Sequence, residues 1–96
     1  MAEISIKKCW VFQFPDHYEQ FARNSGLAIN TPDIYTHIII TDDVHADAST
    51  FGAKRAEVVV FKFEDEHEYN SVVLVLRHLQ VGWCAWDSAR TVAVIL

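Results

Sequence analysis

Two acidic stretches hold the side chains best suited to chemistry. Asp42, Asp43, His45 and Asp47 gather carboxylate and imidazole donors, the types that bind a divalent cation, into six residues. The series lacks the alternating Asp, Gly and distal Glu of an EF-hand loop, and no helix offers the paired histidines of a zinc protease. A solvated acidic loop is therefore expected there, with no metal and no cofactor. The second stretch, Glu64-Asp65-Glu66-His67-Glu68, sets four carboxylates around one histidine. Asp65 and Glu68 have the spacing of a helix capping box, and acid at a helix start complements its dipole. The same run would present a negative patch to a basic protein, and joins the 42–47 acids in one surface if the fold brings them close.

Other nucleophiles and bases are scattered. His17, His37, His45, His67 and His78 share no spacing, and a general base needs a partner within hydrogen-bond reach. Cys84 sits between Trp83 and Trp86, an apolar setting that suits packing better than a thiolate. The chain has no Gly-rich phosphate loop, no Gly-x-Ser-x-Gly elbow and no Cys-x-x-Cys. No catalytic residue is assigned, and the expectation is a non-enzyme.

The elements that position these residues follow from periodicity. Residues 4–14 alternate, with Ile4, Ile6, Trp10, Phe12 and Phe14 on one face, and predict a strand ended by Pro15. Asp16 and Glu19 predict a capped helix carrying Tyr18, Phe21 and Ala22 on one face, stopped by Gly26. Residues 34–41 predict a second strand, 42–53 a long polar connection, and 57–63 a third strand. Asp65 opens a second helix whose stripe is Tyr69, Val72, Val73, Leu76 and Leu79, with Gly82 as its stop. Residues 83–96 form either one bent strand or a hairpin turning at Asp87-Ser88.

The order strand, helix, strand, strand, helix, strand fits an α+β, ferredoxin-like split βαβ plan. It implies an antiparallel sheet of four or five strands with two helices on one face, in a single domain over residues 1–96. Such a plan hosts many functions, so function has to come from a site.

Composition narrows the classes. The 96 residues are 51% hydrophobic and 12% aromatic with a net charge of −5, which suits a packed domain and disfavours phosphate-driven nucleic-acid binding. No run approaches a membrane span, and two distant cysteines predict buried thiols in a cytoplasmic protein. Both faces of the predicted sheet are apolar, more than two helices on one side would cover. The chain is thus read as a protein-binding module and a homodimer. Asp42, Asp43, Asp47, Glu64, Asp65 and Glu66 would steer toward a larger protein with a basic surface, with Trp83 and Trp86 as anchors. One form is a small phage- or mobile-element-encoded inhibitor that occludes a nucleic-acid-handling protein. The alternative is a dimeric α+β barrel enzyme or sensor holding a small apolar ligand between protomers, served by His17, His37 or Tyr35.

Overall fold

Alternation in the first segment and the β-branched run Val58-Val59-Val60 produce the two longest strands, and these pair with each other along almost their whole length. In the computed structural model, which describes residues 2–26, 32–40 and 46–96, β1 (Ala2–Phe12) and β4 (Lys54–Phe63) run antiparallel in a ladder from Ala2 opposite Phe63 to Val11 opposite Lys54. Eleven extended residues span about 36 Å, close to the 37 Å long axis of the molecule. The remaining strands are β2 (Ile34–Tyr35), β3 (Ile38–Ile40), β5 (Trp83–Trp86) and β6 (Thr91–Ile95). They complete a six-stranded antiparallel sheet in the order β2-β5-β6-β4-β1-β3.

This order corrects the ferredoxin-like expectation. That plan places the first strand between the third and fourth. Counted as the four predicted strands, the first (β1) here lies between the second (residues 34–40, through β3) and the third (β4), and the third lies between the first and the fourth (β6). Only the second half keeps a split βαβ unit, since β4 and β5 both run antiparallel to the β6 strand between them. The first half differs because residues 34–40 serve both edges of the sheet. β2 pairs with β5, β3 pairs with β1, and the chain bends at Thr36-His37 between them. The sheet therefore curls into a barrel. An odd ring of strands cannot close with every neighbour antiparallel unless one changes direction, and the bend supplies that change.

The curl accounts for the second apolar face. Cys9, Val11, Ile39, Val58, Val60, Cys84 and Ala93 point inward and fill the barrel, all aliphatic or thiol side chains of small or medium size. The sheet covers its own inner face, so that surplus does not require a partner.

Both helices pack on the outer face. α1 (Pro15–Ser25) seats Tyr18, Phe21 and Ala22 on Phe12 and Ile38. Phe12 lies 5.5 Å from Phe21 and meets Tyr18 edge-on at 5.6 Å. Its start departs from the capping-box expectation. Pro15, pre-set for a first helical position, begins the helix after an extended Phe14, so Asp16 falls inside the first turn and makes no cap bond. Glu19 instead lies 4.0 Å from Arg23, an exposed pair of little consequence for stability. Gly26 stops the helix as expected, at φ 65° with its N–H bonded to the Ala22 carbonyl.

α2 (Glu66–Leu76) is capped by Asp65, whose carboxylate accepts the His67 N–H at 3.0 Å. It buries Tyr69, Val73 and Leu76 against Phe63, Trp83, Ala85 and Val92. It ends well short of Gly82, so Leu79, expected in the buried stripe, is 50% exposed. Of the 42–53 connection, residues 46–53 are described. Residues Ala46–Phe51 form a short 3-10 helix, and Ala48 and Ala53 are buried beneath it and α1. The C-terminal segment is a hairpin, with Trp86 opposite Thr91 across the turn.

Candidate docking surface

The outer sheet face between the helices is the largest apolar area left uncovered. Ile4 and Ile6, on the helix-bearing face of β1, are 62% and 66% exposed because α1 reaches only the far end of the strand. Ile4 sits opposite Phe61 and Ile6 opposite Val59, both half-buried. α2 extends this area. Asn70, Leu74 and Arg77 turn toward Ile34 and Asp87 on the β2–β5 side. The opposite flank, with Val72 and Val75, therefore faces the β4–β1 side. Val75 is 58% exposed. Ile4, Ile6 and Phe61 are neighbours on this sheet face, and Val75 and Leu79 are further exposed aliphatic side chains on and just after α2.

The acids lie at opposite ends of the molecule. Glu64, Asp65 and Glu66 follow β4, beside the start of β1. Asp47 lies in the 3-10 helix that precedes β4, whose ten extended residues span about 33 Å, and it accepts a 3.5 Å hydrogen bond from Ser25 Oγ. Asp42 and Asp43 lie outside the described residues. The single acidic surface joining Asp47 to the helix start is not formed. Asp65 is occupied as a cap, which leaves Glu64 and Glu66 free to face a partner.

The two tryptophans part company. Trp83 is 2% exposed within the α2-side core, so it supports the surface from beneath and cannot anchor a contact. Trp86 is half-buried on the inner side. With Glu3, Ser5, Lys7, Lys62 and Thr91 it lines a groove of about 350 Å³ where the barrel stays open.

At the barrel's other mouth His17 and His37 line one cleft, a convergence that their separation of twenty residues conceals. They line a cleft of about 420 Å³ with Gln13, Lys54, Val11 and Ile95. Gly52, at φ 92°, brings backbone so near that an added Cβ would lie 2.8 Å from His17 Nδ1. Thr36 Oγ1 donates to the Val81 carbonyl at 3.1 Å and accepts the Trp83 N–H at 3.1 Å. Thr36 Oγ1 also lies 3.2 Å from His37 Nδ1. No carboxylate is among the described residues lining this cleft, so a His–carboxylate base pair is not assembled there. Among the described residues no three His, Cys, Asp or Glu side chains converge on a metal geometry.

Two groups are tuned for structure. Burial, with an opposing polar contact from the Ile39 backbone, pushes the Cys84 thiol up to about 12, and Cys9 beside it adds to the rise. Burial, and then the 2.5 Å hydrogen bond to Asp87 Oδ1, raise the Tyr69 hydroxyl. Asp33 accepts the Asp87 N–H at 2.6 Å, so this network pins the β5–β6 turn to α2 and β2. Cys9 and Cys84 are buried and not joined in a disulfide. No described helix is long and apolar enough to cross a membrane.

No protein family, curated protein or solved structure matches the chain.

Proposed function

We propose that the chain is a non-catalytic protein-binding module that docks its exposed outer sheet face onto a larger protein whose own apolar patch is rimmed by lysine and arginine. The observation that carries this reading is the exposure of Ile4 and Ile6 on the outer sheet face, on the strand whose start lies beside Glu64 and Glu66, with Val75 and Leu79 further exposed aliphatic side chains. Large aliphatic side chains left in water lower affinity for nothing but solvent, and a partner that covers them gains from their burial. Carboxylates beside the start of that strand would orient that partner and accelerate encounter. A nucleic-acid-handling protein suits this chemistry, since its phosphate-binding groups are basic, and occluding them would inhibit it. Two buried thiols not joined in a disulfide support an intracellular setting.

The test uses α2, away from β1. Protein captured from the native host by the wild-type chain is expected to be lost with Val75→Lys/Leu79→Lys. It should be retained weakly, with reduced salt sensitivity, by Glu64→Lys/Glu66→Lys. Asp65 is left intact because it caps α2. Retention unaffected by either pair would overturn this reading. A second reading, binding of a small ligand, attaches to the His17–His37 cleft, whose Lys54 and imidazoles above an apolar floor favour a small organic anion.

A further inference from the structure

We propose that the cleft holding His17 and His37 binds a monocarboxylate with a compact apolar body, its head group at the rim and its body on the barrel floor. The proposal rests on the small-ligand reading of this cleft and narrows it to one chemical class. The floor is the end of the barrel core: Val11 belongs to that core, and Ala56 and Ile95 pack against it half-buried. The rim carries Gln13, His17, His37 and Lys54. Phe14 lines the same cleft, 55% exposed and edge-on to the His17 ring at 5.4 Å. At about 420 Å³ the cleft is of a size that takes a small organic molecule.

The polar half of the cleft selects an anion. The chain has 13 acidic and 8 Lys and Arg residues, yet the described residues lining this cleft include one lysine, two histidines and no carboxylate. The Lys54 ammonium, the Gln13 amide and an N–H of each imidazole are donors, which is what a carboxylate head group accepts from. Two of the chain's three glycines back the histidines. A Cβ at Gly52 would lie 2.8 Å from His17 Nδ1, and one at Gly82 would lie 3.0 Å from His37 Nδ1 and closer still to Ile95 Cδ1. Both rings, and the Ile95 side of the floor, thus occupy space that a larger residue would take. The apolar half selects the body. Acetate has none to cover Phe14 and the floor, and a neutral alcohol brings no charge to Lys54, so a molecule with both should bind better than either.

Amide-resolved NMR titration of the full chain with benzoate, acetate and benzyl alcohol, at constant ionic strength, tests this. Benzoate should shift the Gly52, Lys54 and Ile95 amides saturably, and acetate and benzyl alcohol should each bind about fivefold more weakly or worse. Lys54→Gln should weaken benzoate about fivefold or more and leave benzyl alcohol unchanged. Lys54 is exposed, and circular dichroism of the variant verifies that the fold is kept. Benzyl alcohol binding as tightly as benzoate, or benzoate indifferent to Lys54→Gln, would overturn the carboxylate assignment while a small-ligand cleft stood. Shifts from none of the three compounds, or shifts scattered away from the cleft, would overturn both. Val75→Lys/Leu79→Lys should leave benzoate binding intact, which separates this inference from partner binding.

Discussion

At its C-terminal end β1 is enclosed, and at its N-terminal end it is bare, although the alternation of residue types runs through both. Cys9, Val11 and Phe12 are buried, with β3 on the edge and α1 above. Residues 3–8 share the strand, the ladder to β4 and the period, yet all are exposed. Hydrophobic alternation fixes which face a residue joins. Whether that face is covered depends on the helix above it, and α1 packs on Phe12 at the far end of β1, not on Ile4 or Ile6. The closed end holds the fold together, and the open end supplies the surface.

The comparison breaks most sharply by truncating a large side chain at each end. Phe12→Ala removes a ring buried against Tyr18 and Phe21 and should cost about 3–5 kcal/mol in urea denaturation. Ile4→Ala, measured at concentrations where the chain is monomeric, should change stability by about 0.5 kcal/mol or less, since that side chain is already in water. Equal losses at the two positions would abolish the distinction between the ends.

Between these lies an alkaline effect set at the closed end. Cys84 ordinarily ionises near 9.0 and is raised to about 12 in the fold, and Tyr69 is raised as well. The unfolded chain therefore releases these protons at lower pH than the native one. Stability is full below about pH 9 and falls as pH rises toward 12. The urea midpoint should decline over that window, and Cys84→Ala should flatten part of the decline. A midpoint insensitive to pH there would show the thiol to be solvated.

Much of the local structure was legible because it depends on neighbours in sequence. Asp65 as a cap, Gly26 as a left-handed stop and the period of residues 57–63 are decided within a few residues. The start of α1 was misread where two local signals competed, and the fixed φ of Pro15 prevailed over the cap spacing of Asp16. The strand order was not legible. It turns on the bend at Thr36-His37, which sends one segment to both sheet edges and is stabilised by Trp83 backbone groups far along the chain. The same closure buried Trp83, removing it from the candidate site, and brought His17 and His37 to one cleft. The acidic residues were visible as types, but their separation along β4 follows only from the ladder.

Residue-resolved amide hydrogen exchange along β1, at a dilution where the chain is monomeric, tests the central claim most directly. Trp10 and Val11 belong to both ladders, so their amides should be protected. Over residues 3–8, which are exposed on both faces, protection should be weaker. Uniform protection from one end of β1 to the other would contradict the account, because it would mean that the exposed end is held as firmly as the buried one.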